Sequence, residues 1–85
     1  MQKQLILKFW FAHDEYLCEC LADEKACLEE VFYFLKEALL QKECLLIHAE
    51  ETAIFEENDT GTMTDSRCPL EKLHLRNGTL FNVYY

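Results

Sequence analysis

The chain has 85 residues, of which 51% are hydrophobic and 13% aromatic. This length allows one small domain, and this composition excludes a chain that stays disordered for lack of a core. Sixteen acidic and eight basic residues give a formal net charge of -8. Such a charge repels nucleic acid and anionic membranes at long range, so we expect no binding to either. Proteins are the expected partners, basic ones above all.

The cysteines do not predict a disulfide framework. Cys18, Cys20, Cys27, Cys44 and Cys68 are odd in number, and no signal-like segment precedes them. We therefore expect free thiols in a reducing compartment, the cytoplasm or the nucleus. Zinc sites usually contain two short ligand pairs, whereas Cys18 and Cys20 are the single close pair here. We expect no metal and no other cofactor.

The first quarter of the chain predicts a β-hairpin. Residues 4–12 are rich in aliphatic and aromatic side chains, and residues 16–21 follow a polar turn. Alternation along the second strand places its two cysteines on one face and Leu17, Glu19 and Leu21 on the other. The pattern leaves open which of these faces is buried.

A helix is predicted from Asp23, a residue type that caps helix N-termini, to Lys42. Its apolar stripe contains Cys27, Val31, Phe34, Leu35 and Ala38, and it is widened by Leu28, Phe32, Leu39 and Leu40. This stripe is broader than the arc that a small sheet covers. The additional residues fill the margins of the core or form a face for a partner, and the sequence leaves both possibilities open.

The remaining residues predict two more strands. Residues 43–49 are a short apolar run, residues 50–67 are predicted to be an extended acidic loop, and residues 79–85 have strong β propensity. The predicted order is β-β-α-β-β. This order permits an α+β fold with a mixed sheet, in which the first and last strands are parallel and the helix packs across one face.

Three stretches resemble ubiquitin and ubiquitin-like domains, in the same order along the chain: residues 46–49 (LIHA), 69–75 (PLEKLHL) and 78–84 (GTLFNVY). The resemblance covers nearly all of the chain except residues 50–67, which are longer than the matching loop of ubiquitin. It implies a ubiquitin-like β-grasp domain over residues 1–85. The sequence ends without the Gly-Gly tail of a conjugated modifier, so we expect one domain of a larger protein rather than a transferable tag.

The resemblance also implies a binding site. Ubiquitin-like domains commonly bind partners through an apolar patch on the sheet face opposite the helix, centred on an isoleucine after the helix and a valine in the last strand. The matching positions are Ile47 and Val83, with Ala49 beside them and Phe11 or Ala12 completing the surface. Replacing Ile47 and Val83 with alanine would then abolish binding without unfolding the domain. The alternative is that either residue points into the core, because a shift of one residue exchanges the two faces of a strand.

No catalytic constellation emerges from the sequence. The single serine, Ser66, and the three histidines lie in no nucleophile motif. Cys44 and His48 on one strand would be about 13 Å apart. Adjacent carboxylates such as Glu29 and Glu30 point apart on regular elements. We therefore expect that the chain is not an enzyme.

Two other roles fit the same sequence. The acidic run with Glu56, Glu57 and Asp59 loosely resembles the acidic motif of Phox-and-Bem-one-type domains, β-grasp relatives that pair this loop with a basic surface. A third possibility is a structural domain that docks onto other domains of the same chain. Ionic strength distinguishes binding through the apolar patch from pairing through the acidic loop, because salt weakens the pairing and has little effect on an apolar patch.

Overall fold

A computed structural model describes residues 3–43, 45, 46, 49 and 52–85 of the chain. These residues form a mixed sheet, an α-helix and a short 3-10 helix. In chain order the elements are β1 (Gln4–Phe11), β2 (Tyr16–Asp23), α1 (Leu28–Glu43), β3 (Ile54–Glu57), β4 (Met63–Thr64), the 3-10 helix (Leu70–Leu73) and β5 (Thr79–Tyr84).

The strands lie in the order β2-β1-β5-β3-β4 across the sheet. β1 is antiparallel to β2 and parallel to β5, and β3 is antiparallel to both β5 and β4. Buried residues of α1 belong to the same core cluster as the inner face of the sheet. The predicted α+β class, with parallel first and last strands and a helix across one face, is confirmed.

Pairing with β1 decides which face of β2 is buried. Along β1, buried side chains alternate with side chains that are exposed or partly exposed. The register of β2 on β1 turns its two cysteines toward the core, against which they pack. Leu17, Glu19 and Leu21 turn to the opposite face and are exposed.

The buried side of α1 is narrower than the predicted stripe. Leu28, Phe32 and Leu35 are buried, at the spacing that lines one side of a helix. Phe34 was predicted to belong to the stripe, but it is 72% exposed. It lies about 200° around the helix from Phe32, so that part of the prediction is wrong. The predicted helix start is also too early, because Asp23 ends β2 and its carboxylate accepts a backbone N–H in the turn before α1.

The strand predicted at residues 43–49 is absent from the described part of this run. Helix α1 reaches Glu43 instead, and residues 44, 47 and 48 lie outside the described residues. Leu46 is fully buried with a φ of 60°, a left-handed conformation that does not continue a strand. The Asp14 carboxylate accepts its N–H at 3.1 Å.

The acidic loop predicted at residues 50–67 contains a β-hairpin. β3 and β4 pair across a turn at residues 58–60, which is followed by Gly61 at a φ of 70°. The loop prediction is wrong here because Phe55 enters the core opposite Val83. Burial of that ring and the ladder to β5 together stabilise the extended conformation. β3 is therefore the sheet strand that follows the helix.

Phenylalanine rings occupy the centre of the core. The ring centroid of Phe9 lies 5.9 Å from that of Phe81, 6.3 Å from that of Phe11 and 6.4 Å from that of Phe55. Phe32 connects the helix to this cluster, with its centroid 5.8 Å from that of Phe55. The cluster joins β1, β3, β5 and α1.

Candidate functional site

Most of the predicted binding residues lie in the core. Val83 and Phe11 are fully buried and face each other across β5 and β1, and Ala49 is buried as well. A partner cannot reach these side chains in this fold, so this part of the prediction is wrong. Ala12 is half-buried in the first turn, where its N–H donates to the Val83 carbonyl at 3.2 Å. Ile47 lies outside the described residues.

The outward-facing positions of β5 lie one residue to either side of Val83, the position that was predicted to face outward. Since side chains alternate along a strand, the inward position of Val83 places Asn82 and Tyr84 on the outer face. Ile54 is paired with Tyr84, and among the described residues after the helix it is an exposed isoleucine. The available signal was the apolar pair formed by Ile54 and Phe55 within an otherwise acidic segment.

Exposed apolar side chains cluster on the sheet face away from the helix. Ile54 is 54% exposed, Met63 61% and Tyr84 41%. Ile54 and Tyr84 are paired, and Met63 is paired with Glu56, two residues along β3 on the same face. We call Ile54, Met63 and Tyr84 the open-face patch. Adjacent strands are about 4.8 Å apart, so the three strands span about 10 Å.

Glu56 places a carboxylate at the margin of the open-face patch. Its Oε1 accepts hydrogen bonds from Asn82 Nδ2 at 3.0 Å and from the Tyr84 hydroxyl at 3.3 Å. Asn82 Nδ2 also donates to Asn58 Oδ1 at 3.2 Å. Desolvation, followed by the charge and hydrogen bond of Glu56, raises the pKa of the Tyr84 phenol. The patch therefore combines a neutral aromatic side chain with one negative charge.

The residues of the predicted acidic motif do not form one surface. Glu56 and Glu57 are neighbours in β3, so their side chains point to opposite faces of the sheet. Glu56 is held by Asn82 and Tyr84. Asp59 is exposed in the turn between β3 and β4. Pairing with a basic partner through all three carboxylates would require a different local structure.

The half-buried thiols of β2 have the properties of packing residues. Burial raises the pKa of Cys18, and burial together with the charges of Cys18 and Glu19 raises the pKa of Cys20 to about 11. Both thiols are therefore protonated at neutral pH and are poor nucleophiles. Among the described residues, no group of three or more His, Cys, Asp or Glu could hold a metal ion. The described part of the chain also has no helix that is long and apolar enough to cross a membrane.

The raised pKa of Cys20 predicts a loss of stability at alkaline pH. An unfolded thiol loses its proton near its ordinary pKa of 9.0, whereas folded Cys20 keeps its proton to about pH 11. The contribution of the protonated Cys20 thiol to folding stability is complete below pH 9.0 and is lost as the pH rises through about 11. We expect the fall in melting temperature from about pH 8 to about pH 10.5 to be smaller in Cys20→Ala than in the wild type. Equal falls in the two proteins would contradict this assignment.

A second group of exposed apolar residues lies on α1. Tyr33, Phe34 and Leu40 point away from the sheet, and we call them the helix-face group. The depression beside Tyr33 is bordered by charges of both signs, including the ion pair in which Arg67 Nε donates to Glu29 at 3.3 Å. This mixture of charges selects no particular ligand. The helix-face group is a useful matched control for the open-face patch.

Similarity to solved structures identifies the fold. No protein-family model and no curated protein matches the sequence. A de novo designed protein based on ubiquitin superposes with a TM-score of 0.69 at 16% identity, covering 95% of this chain and 87% of that one. The C-terminal ubiquitin-like domain of mouse tubulin-specific chaperone e gives a TM-score of 0.60 at 16% identity, covering 96% and 86%. The chain has a ubiquitin-like fold.

A further chain of similar fold comes from the structure of an enzyme complex. A chain from a structure of the toluene 4-monooxygenase HD complex with the inhibitor 4-bromobenzoate superposes with a TM-score of 0.74 at 9% identity, covering 95% of this chain and 96% of that one. At this identity the likeness concerns the fold alone. A role for this domain must therefore be argued from its own surface.

Proposed function

We propose that this ubiquitin-like domain is a non-catalytic protein-interaction module that binds a partner through the open-face patch. The exposure of Ile54, Met63 and Tyr84 on adjacent strands is the observation that carries the proposal. Contiguous exposed apolar surface costs free energy in water, and burial against a partner recovers that cost. We place this module in the cytoplasm or nucleus, where its thiols would stay reduced.

Charge narrows the class of partner. The chain carries a formal net charge of -8, and Glu56 lies at the margin of the patch. A partner with apolar side chains at its centre and basic residues at its rim is complementary to this surface. Apolar contacts would supply most of the binding free energy, while the charges would accelerate the encounter.

The proposal predicts that the double variant Ile54→Ala with Tyr84→Ala loses at least tenfold in affinity. Both side chains are exposed on the outer face, so the variant should keep a cooperative unfolding transition. The measurement begins with affinity capture of a partner from a cell extract by the wild-type domain. The captured partner is then purified, and titration calorimetry measures its affinity for the wild type and for each variant. Tyr33→Ala with Phe34→Ala is the matched control, because it removes the same kind of exposed surface from the helix.

Four outcomes would contradict the proposal. Equal capture of the partner by the wild type and by the open-face variant would exclude the open-face patch as the binding site. Loss of partner binding in the helix-face control alone would place the binding site on α1. Binding that weakens steeply with ionic strength and depends on Asp59 would favour pairing through acidic residues instead. If other domains of the same chain cover Ile54 and Tyr84, the domain has a structural role.

A further inference from the structure

Cys18 and Cys20 form a pair of thiols on the inner face of β2. They are separated by one residue of a regular strand, so both side chains leave the strand on the same side. Both pack at the margin of the core and are half-buried, so a small solute can reach their sulfur atoms. The charge of a Cys18 thiolate acts on Cys20. The pair therefore presents two neighbouring sulfur donors near the edge of the sheet.

The spacing of the pair opposes a disulfide. Alternate residues of an extended strand have Cα atoms about 6.8 Å apart. Disulfides usually join Cα atoms about 5.5–6 Å apart and bring the sulfurs to about 2.05 Å. Closing this bond would bend β2 away from β1, with which it is paired along its whole length. The sheet thus keeps the two thiols from cross-linking while it holds them on one side.

The same spacing suits a metal ion between the sulfurs. A metal–thiolate bond is about 2.3 Å long, so an ion bound in line with two sulfurs holds them about 4.6 Å apart. Each sulfur lies one bond beyond its Cβ, and rotation about the Cα–Cβ bond moves it along the strand. Two sulfurs that turn toward each other therefore reach this separation without a change in the backbone.

The number of donors selects the ion. Thiolates favour zinc, copper(I) and iron–sulfur clusters, and structural zinc sites and these clusters take four protein ligands. Within the described part of the chain, no third His, Cys, Asp or Glu joins the pair in a metal-binding group. Copper(I) is a soft ion that two thiolates can hold in a linear site. The expectation of no metal was based on the ligand pairs of zinc, which copper(I) does not need.

We propose that Cys18 and Cys20 bind one copper(I) ion as a two-coordinate bis-thiolate site. Binding forms two copper–sulfur bonds and releases both thiol protons to solvent, with no change of oxidation state. Leu7 and Phe9, which pair with the two cysteines from β1, are buried. They keep water from that side of the ion.

The raised pKa of Cys20 is compatible with this binding. Burial raises that pKa first, followed by the charges of Cys18 and Glu19. A bound copper(I) ion takes the place of the protons and neutralises one of the two thiolate charges, so the charges that hold a proton also attract the ion. The formal net charge of -8 adds to this attraction. The thiols are therefore protonated packing residues without the ion and ligands with it.

The copper(I) site is separate from the open-face patch. Ile54 and Tyr84 are exposed on the outer face of the sheet, whereas the two cysteines pack against the core on the inner face. The inference therefore stands or falls independently of the proposed function. The variant Ile54→Ala with Tyr84→Ala should bind copper(I) as tightly as the wild type does.

The test compares two variants that divide the five cysteines. The first retains Cys18 and Cys20 and carries Cys27→Ser, Cys44→Ser and Cys68→Ser, and the second carries Cys18→Ser and Cys20→Ser alone. Copper(I) is supplied as its acetonitrile complex without oxygen, in competition with the chelator bathocuproine disulfonate. We expect the first variant to bind one ion as tightly as the wild type does, and the second to bind at least a hundredfold more weakly. Equal affinity of the two variants would overturn the proposal.

Two further measurements make the assignment specific to a pair of thiolates. X-ray absorption of the copper-loaded first variant should show two sulfur neighbours, and a nitrogen neighbour or a third sulfur would refute the two-coordinate site. This result decides the question even if the second variant does not fold, which circular dichroism checks. Glutathione disulfide should leave Cys18 and Cys20 unlinked in the first variant. An intramolecular disulfide between them, seen as the loss of two hydrogens by mass spectrometry, would contradict the spacing on which the site depends.

Discussion

Replacing Phe9 with alanine is expected to lower the free energy of unfolding by about 3–5 kcal/mol, the usual range for a buried ring. Phe9 is 1% exposed, and its ring contacts the rings of three neighbouring phenylalanines. The alanine variant leaves a cavity between β1, β3 and β5 that these rings cannot close without leaving their rotamers. Urea denaturation followed by circular dichroism measures the change.

The control for Phe9→Ala is Phe34→Ala, which removes the same ring from an exposed site on α1. We expect its free energy of unfolding to change by less than about 1 kcal/mol. A chain of 85 residues has a total stability of roughly 4–13 kcal/mol, so Phe9→Ala could also abolish the cooperative transition. Similar stability of the two variants would contradict the aromatic core described here.

Val83→Ala is expected to lower the free energy of unfolding by about 2 kcal/mol, because it removes two buried methyl groups from the core and leaves a cavity. Val83 is fully buried, with an accessible fraction of 0%. It faces Phe11 and Phe55 on the two neighbouring strands. Thermal or urea unfolding measures the effect.

Tyr84→Ala is the matched control, since Tyr84 is the next residue in β5 and points to the opposite face. We expect a smaller loss of stability than for Val83→Ala and a larger loss of partner binding. The reverse order, with Val83→Ala folding as the wild type does and failing to bind, would restore the assignment of Val83 to a binding surface. Adjacent residues thus distinguish a core role from a surface role.

The exposed apolar residues of the sheet were harder to predict than the face on which they lie. An apolar patch on the sheet opposite the helix was expected, and exposed apolar residues are present there at Ile54, Met63 and Tyr84. The sequence of β5, TLFNVYY, is apolar at most positions on both faces, so its alternation does not reveal which side is buried. Parallel pairing with β1 sets the phase, because it aligns Val83 with Phe11.

The strand after the helix was misplaced because two apolar runs compete for the role. Residues 43–49 are the longer run, and Ile54 and Phe55 are the shorter one. Leu46 is anchored by the distant Asp14 in a left-handed conformation, while Phe55 pairs with Val83. Each contact joins residues far apart in sequence, so local propensity cannot rank the two runs.

The sequence by itself determined the class of this protein: an acidic small domain, with a hairpin, a helix and a final strand in the order of the ubiquitin-like fold. Those features depend on local periodicity and on the succession of elements, which the residues specify directly. Only the tertiary structure decided the place of β3, the phase of β5 and the buried face of β2. Each of these depends on register between strands, and a shift of one residue exchanges the core with the surface.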